Sequence, residues 1–472
     1  MTAIPLTAAS VAAAAGGVVA AGDPGQAFDG VSIDTRTLKP GELFIAIRGE
    51  RFDGAEFVDS AIDAGAAGIL ADRRSAKVLA EGQGAKRRVP IIGVDDTLIA
   101  LQALARSVRR ESGARVVAIT GSAGKTTTKE VTSELLSTRF RVIRNRGNFN
   151  NHIGLPLSLI DLRQRPEIAV VELGMNHAGE ISTLVRIAEP DVRVWTNVGE
   201  AHLGFFASLD AIADAKAEIL EGSRRSDLLV ANADDARITA RMGSFAGRVT
   251  TFGIERAADV HAAAVVDRGI DGTSAHVVTP HGAVELTTPL VGRANLANVL
   301  AATAVALEFG VPLADVARRA AALRPASHRG EVVRLSRGVT IIDDSYNANP
   351  TATKRAIEVV AGSAASRRIA VIGEMLELGE RAEELHADVG RALSRAHLDA
   401  IIAVGGAPAR ALADAAVAAG MPVAAVRHVA TSDEAADAVA ELLRAGDLVL
   451  VKGSRGIKTD RVVDRLKSAW GG

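Results

Sequence analysis

Ile119-Thr120-Gly121-Ser122-Ala123-Gly124-Lys125-Thr126-Thr127-Thr128 is the stretch on which the reading of this chain turns. An apolar run, Val116-Val117-Ala118-Ile119, leads into it, and Val131, Leu135 and Leu136 recur on one helical face after it. Strand, glycine loop, Lys-Thr and helix together make a phosphate cradle. Glycines let the backbone approach an anion, and the amides at the helix N-terminus point at it. Lys125 offers a mobile positive charge to the terminal phosphates, and the Thr126 hydroxyl suits the magnesium that travels with them. Gly121, Ser122, Ala123, Gly124 and Thr127 complete the nucleotide-binding loop. The full P-loop spacing would put a glycine at Ile119, so this is the shorter G-x-x-G-K-T form. The bland alternative is a glycine turn capped by threonine; the strand before and the helix after speak against it.

The rest of the chain sets the frame. Its 472 residues suit about three domains. A hydrophobic content of 48% supports real cores, and with only 3% aromatic residues those cores are built from Ala, Val, Leu and Ile. A net charge of -1 gives no reason to expect nucleic acid or an anionic membrane as partner. Without cysteine there is no disulfide, zinc-thiolate site or cysteine nucleophile. The alanine-rich start, Met1 to Ala21, lacks the basic segment of a signal peptide, and no apolar run is long enough to span a bilayer. A soluble, cytoplasmic, monomeric protein is the default expectation.

Three α/β units are predicted. Residues 1–96 form a small N-terminal domain, with a strand from Val31 that leads through Ile33 into a polar turn at Asp34-Thr35-Arg36, strands at Leu43–Ile47 and from Gly68, and a helix over Phe57–Ala67. An amphipathic helix from Leu98 to Arg110 opens a central domain, 97–324. There, short apolar strands end in polar residues at Glu172, Asn197 and Asn232, the rhythm of a mostly parallel sheet with ligands at the strand C-termini. Thr250 to Pro289 reads as a β excursion, and Ala294 to Val305 as a small-residue helix with Asn295 and Asn298 a turn apart. In the C-terminal domain, 325–472, strand and helix alternate strictly, with strands at Val339–Ile342, Ile369–Ile372, Ala400–Val404, Pro422–Val426 and Leu448–Val451. An open Rossmann-like sheet follows, but Asp343-Asp344-Ser345-Tyr346 stands where a dinucleotide fingerprint would be, so NAD is not expected.

Several side chains are candidates for chemistry. Glu172 ends a strand beside the phosphate loop, where a carboxylate faces the nucleotide's magnesium; a helix-capping glutamate is the alternative. His202 follows another strand end and is either a second metal ligand or a structural histidine. Lys216 reads locally as an ordinary helical surface lysine. Asp34, Thr35 and Arg36 close a strand in the first domain and either bind a polar ligand or form a local Asp–Arg pair. Asp343 and Asp344, followed by Tyr346, Asn347 and Asn349, either recognise an amine or a ribose hydroxyl or make an Asx-rich turn. Arg329, Lys452, Ser454 and Arg455 either reach across a cleft to phosphate or carboxylate or are solvated surface groups.

Taken together, these residues resemble the Mur ligase family over nearly the whole chain. The resemblance rests on the T-G-x-x-G-K-T loop, Glu172, Asn197 to Leu203 with His202, Ala215-Lys216-x-Glu218, and Gly292 to Asn298 as the adenine-side segment. Gly147-Asn148-Phe149-Asn150-Asn151, Asp343 to Pro350, Gly373 to Glu380 and Val451 to Gly456 are similar to the branch that adds D-alanyl-D-alanine. Ala55, after Asp53-Gly54, and Arg293-Ala294, before Asn295, depart from the family pattern.

The resemblance implies an ATP-dependent amide ligase that joins D-alanyl-D-alanine to UDP-N-acetylmuramoyl-tripeptide through an acyl phosphate. The runner-up is another Mur-type amino-acid ligase or a folylpolyglutamate synthetase-like enzyme. It further implies that the first domain holds the UDP end near Asp34, Thr35, Arg36 and Asp53. ATP would lie on the central domain, with Asn295, Asn298, Arg329 and Asp344 as further contacts. The other substrate contacts implied are Asn148, Asn150, Asn151, Tyr346, Asn347, Asn349, Lys452, Ser454 and Arg455. Thr126 and Glu172 would serve one magnesium ion, and His202 and Lys216 a second, with Lys216 converted by carbon dioxide to a carbamate. Lys125, His202, Lys216 and Arg329 would carry the chemistry.

Overall fold

Three larger sheets, besides a two-stranded pair of Leu6–Thr7 with Ala27–Phe28, organise the chain in this computed structural model, which describes residues 2–49, 53–81, 89–200 and 203–471. The first has five strands in the order Val18–Ala21, Ile91–Val94, Gly68–Asp72, Leu43–Ile45, Val31–Ser32, parallel except for Val18–Ala21. The second has nine, and the third six. The helix Thr97–Ser112 joins the first unit to the second. Asp96 caps it by accepting from the amides of Leu98 and Ile99, and Gly113, with φ +69°, ends it in the left-handed conformation that glycine takes without strain.

The strand Arg115–Thr120 lies inside the nine-stranded sheet, between Ile168–Glu172 and Val192–Trp195. Val116 and Ala118 pack into one core layer, Val117 and Ile119 into the other, and all four are fully buried. A sheet covered on both faces reads as a continuous apolar run, which is why this strand could be read from sequence. Each buried Val or Ile there contributes about 1.5–3 kcal/mol. All these pairings are parallel, with Glu172 beside Ile119 and Trp195 beside Thr120, so the phosphate loop, Glu172 and Asn197 leave the sheet at one edge. The helix Arg293–Glu308 is buried almost all round and packs in the same core layer as the phosphate-loop helix Lys125–Leu136.

The β excursion is a continuation of this sheet: Arg248–Gly253, Val260–Asp267, Thr273–Thr279 and Gly282–Thr288 add in order, the last two pairings antiparallel. In the third sheet, Thr340–Asp344 and Asp447–Lys452 lie side by side and parallel, bringing Asp344 level with Lys452.

The structure departs from the sequence reading in four places. The predicted strand Pro422–Val426 is a 3-10 turn over Val423–Ala425 followed by the strand Val426–Val429. Pro422 has no amide to pair, and Val423 stays 74% exposed, so apolar character alone was misleading there. The strict parallel alternation of the third domain has an antiparallel edge strand, Glu331–Arg334, whose side chains are half-buried or exposed and carry no apolar alternation. The first thirty residues also hold structure that was not anticipated, the helix Ala8–Ala14 and the strand Val18–Ala21. The predicted helix Phe57–Ala67 is shorter, a 3-10 turn over Gly54–Phe57 and a helix over Val58–Asp63. Among the described residues, no helix is long and apolar enough to cross a membrane.

Candidate active site

The phosphate loop is held in shape by contacts with its own chain. Gly121 and Gly124 have φ of +152° and +80°, and a Cβ on either would sit 1.9 Å from Thr196 Oγ1 or 2.4 Å from Asn298 Oδ1. Asn197 clamps the loop twice: its Oδ1 accepts from the Ala123 amide at 2.9 Å and its Nδ2 donates to the Ala123 carbonyl at 2.9 Å. Thr196 Oγ1 donates to that same carbonyl at 2.8 Å. Ser122 Oγ donates to Gly199 O and accepts from its amide. Asn197 thus takes the Ser122 and Ala123 amides and braces the loop, and the N-terminus of the helix Lys125–Leu136 beside it is the part suited to an anion.

Next to the loop sits a compact charged group. Thr126 Oγ1 donates to Glu172 Oε2 at 2.7 Å, and Asn150 Nδ2 donates to Glu172 Oε1 at 2.8 Å. Lys125 Nζ folds back onto the Gly121 carbonyl at 2.8 Å. Glu172 is 4% exposed. Burial alone would raise its pKa, but the Lys125 charge, the Thr126 hydrogen bond, Arg329 and Asn150 outweigh it and hold the carboxyl below its ordinary value. Burial lowers the pKa of Lys125, the Glu172 charge opposes that, and Arg329 adds to it.

Lys216 corrects its local reading as a surface residue. It is 1% exposed, on the inner side of the helix Leu209–Ala217. Burial, then repulsion from Lys125, drives its pKa well below the usual lysine value, against the attraction of Glu172. It lies behind the cavity wall rather than on it. Burial that disfavours the ammonium form moves a lysine towards a nucleophilic amine. His202, the other expected partner there, lies outside the described residues.

The opposite wall comes from the third domain. Arg329 stacks on the Tyr346 ring, 4.2 Å from its centre, and Arg455 lies 5.9 Å from the same centre. Lys452, 3% exposed, donates to Asp344 Oδ2 at 2.5 Å and to the Asn347 carbonyl at 3.0 Å. Ser454 Oγ accepts from the Leu376 amide at 2.9 Å. Between the two walls is a cavity of about 860 Å³, lined by Ser122 to Thr127, Asn148, Asn150, Glu172, Asn295, Asn298, Arg329, Asp344, Tyr346, Asn347, Asn349, Lys452, Ser454 and Arg455. The two domains touch nearby, where the Gly204 amide donates to the Glu377 carbonyl at 2.9 Å.

Some candidates are engaged elsewhere. Asp343 is fully buried, receives Ser345 Oγ at 2.6 Å and pairs with His328 Nδ1 at 2.8 Å, so it does not face the cavity. Asn151 Oδ1 accepts from the Ile153 and Gly154 amides where the helix Gly154–Ile160 begins, and Asn349, although on the cavity wall, caps Pro350–Gly362. Asp34 and Arg36 form the local pair at 2.6 Å that was the bland alternative, which brings the Asp34 pKa down to about 2. Asp53 pairs with Arg48 at 3.0 Å and caps the turn that follows it. These residues and Thr35 do not line the cavity. Arg293 pairs with Glu255 at the cavity rim. Thr196, Asn145 and Lys129 were not singled out from sequence, and Asn197 was read only as a strand end and as the start of the segment with His202. Their partners lie up to 76 positions away, and only the strand-end position of Asn197 gave a hint.

The donor set fits a magnesium nucleotide. Oriented amides and Lys125 suit phosphates, while the Thr126 hydroxyl and Glu172 carboxylate are hard oxygen ligands. Among the described residues no cluster of three or more His, Cys, Asp or Glu could hold a metal with protein ligands alone. Phosphate oxygens or water would have to complete such a site.

A phosphate cradle facing a basic, tyrosine-bearing wall from a second α/β domain across one cavity fits a nucleotide-dependent ligase. Residues 119–306 match the Mur ligase middle domain, 328–455 the Mur ligase, glutamate ligase domain, and 27–109 the Mur ligase family, catalytic domain. The chain belongs to the Mur ligase family. Its relatives are specific. The UDP-N-acetylmuramoyl-tripeptide–D-alanyl-D-alanine ligase of Bacillus subtilis is 36% identical over 93% of each chain. That of Escherichia coli is 37% identical over 80% of this chain and 81% of its own. MurF from Acinetobacter baumannii superposes with a TM-score of 0.88 at 29% identity, over 99% of this chain and 100% of its own. MurF from Thermotoga maritima in complex with ADP does so with a TM-score of 0.80 at 29% identity, over 93% and 97%.

Proposed function

We propose that this protein is the ATP-dependent ligase that joins D-alanyl-D-alanine to UDP-N-acetylmuramoyl-tripeptide, giving the UDP-linked pentapeptide, ADP and phosphate. One observation carries the reading. The phosphate loop and the Arg329–Tyr346–Lys452 wall face each other across one cavity of about 860 Å³.

The chemical obstacle is that the acceptor carboxylate and the γ-phosphoryl group are both anions. A carboxylate oxygen attacks the γ-phosphorus, the bond to the β-phosphate oxygen breaks, and ADP leaves with the electron pair. The acyl phosphate then accepts the free amine of the dipeptide at its acyl carbon. Phosphate departs with the C–O electrons and the nitrogen loses a proton. Lys125 and Arg329 lower the repulsion in the first step by placing positive charge on either side of the meeting point. Thr126 and Glu172 would hold one magnesium ion, which when bound supplies further positive charge to the phosphates. Asn150 fixes the orientation of Glu172, and Asn197 holds the loop amides in place. Lys452 is held by Asp344, so its ammonium is positioned rather than mobile.

Lys216, buried where its ammonium form is disfavoured, is suited as the free amine to attack carbon dioxide at Nζ, releasing a proton and leaving an anionic carbamate. That oxygen donor, with His202, would serve a second magnesium. The first domain would hold the uridine end near Asp34, Thr35, Arg36 and Asp53, and the enzyme would act as a monomer in the cytoplasm.

The test is incubation with UDP-N-acetylmuramoyl-tripeptide, ATP and a panel of amines. D-alanyl-D-alanine should be ligated with stoichiometric ADP. Acceptance of a single amino acid in its place, with the dipeptide refused, would overturn the assignment in favour of another Mur-type ligase.

A further inference from the structure

We infer that Lys129 is a positioning residue for Glu172, acting through Asn145 from one turn beyond the phosphate-loop lysine. This rests on the magnesium-nucleotide reading given above. Lys129 belongs to the same helix as Lys125 and Thr126, yet it is 1% exposed and turned away from the cavity. Its Nζ donates to the Asn145 carbonyl at 2.9 Å and lies 3.2 Å from Glu130 Oε1. Asn145 is itself 2% exposed. Its Oδ1 accepts from the Glu172 amide at 3.0 Å, and its Nδ2 donates to the Phe149 carbonyl at 2.9 Å. The next residue, Asn150, donates to Glu172 Oε1 at 2.8 Å.

One buried ammonium therefore fixes the segment from which Glu172 is held twice, by its backbone through Asn145 and by its carboxylate through Asn150. The other carboxylate oxygen is fixed by Thr126 from the same helix as Lys129. The helix and the 145–150 segment form a closed frame around Glu172, with Lys129 as its far strut. An apolar side chain would fill that slot without the cost of burying a charge. What the ammonium adds is a directed bond to a carbonyl that no apolar group can make. Glu172 carries the charge that answers Lys125, and a small rotation of its carboxylate would misplace the oxygens available to a cation.

The test is calorimetric binding of ADP, with magnesium titrated in and in EDTA, to wild type, Lys129→Met, Asn145→Ala and the double variant. Lys129→Met should raise the magnesium concentration needed for half-maximal tightening of ADP about 10-fold, the lower end of the usual effect of losing an outer partner. ADP affinity in EDTA should stay within about twofold, because the loop amides are held by Asn197 and not by Lys129. In the Asn145→Ala background, Lys129→Met should add less than it does in wild type, because the hold on the Glu172 backbone is already lost and only the path through Asn150 remains. If Lys129→Met does not fold, Asn145→Ala alone must show the same magnesium shift. An unchanged magnesium midpoint, an equal loss in EDTA, or fully additive effects would each overturn the inference. If wild type bound ADP with no response to magnesium, the proposed function would fail instead.

Discussion

Replacing Gly124 by alanine tests the loop geometry most directly. Gly124 caps the phosphate-loop helix at φ +80°, where an L-residue costs about 1 kcal/mol. The added Cβ would lie 2.4 Å from Asn298 Oδ1 and 3.0 Å from its Cγ, so the Asn298 side chain must leave. Two hydrogen bonds go with it, Thr128 Oγ1 to Asn298 Oδ1 and Asn298 Nδ2 to Asn295 Oδ1, each 3.2 Å long. At about 1 kcal/mol each, they bring the total to about 3 kcal/mol. For a domain of this size that lowers the central-domain transition by about 6–12 °C. In an Asn298→Ala background the clash is gone, and Gly124→Ala should cost only the backbone term of about 1 kcal/mol. The measurement is a double-mutant cycle by differential scanning calorimetry, with ADP binding read in parallel. A coupling below about 0.5 kcal/mol would refute the claim that Gly124 and Asn298 compete for one space.

Three further outcomes follow from the site. Lys125→Ala should leave the thermal transitions nearly in place but abolish hydroxamate formation when hydroxylamine is added with ATP and the carboxylate substrate; wild-type trapping would remove Lys125 from the chemistry. Lys216→Met should lose most turnover. Burial holds the folded pKa of Lys216 below that of the unfolded chain, so the unfolded state binds more protons between the two values. Wild-type stability then rises through that window by up to about 1.4 kcal/mol per pH unit, and Lys216→Met should lose this slope in carbon dioxide-free buffer, gaining most over wild type at the acid end. Asp343→Asn should destabilise the third domain by about 1.5–3 kcal/mol, because the Ser345 and His328 bonds at a fully buried carboxylate are charge-assisted, with little change in KM for the dipeptide; a large KM change with no shift in the transition would return Asp343 to the cavity.

Much of the architecture was legible because it is local. The run Val116–Ile119, the glycine loop and the helix after it are contiguous, and a strand buried on both faces must be apolar at every position. The strand endings at Glu172 and Asn197 could be read for the same reason, since parallel strands place their C-termini on one edge. The edge strand Glu331–Arg334 could not, because half-exposed residues leave no pattern. Lys216 and Lys129 look alike in sequence to any solvated helical lysine.

By itself, then, the sequence determined the phosphate loop, the layered α/β plan and the strand edge from which ligands are held, since these depend on period, glycine and chain order. Tertiary structure alone decided which charges are buried, which asparagines hold the loop and which acids face inward. Those choices rest on contacts between residues far apart in the chain, such as Lys452 with Asp344 and Thr128 with Asn298. A side chain's ionisation and aim are set by its surroundings, and no stretch of sequence contains its own surroundings.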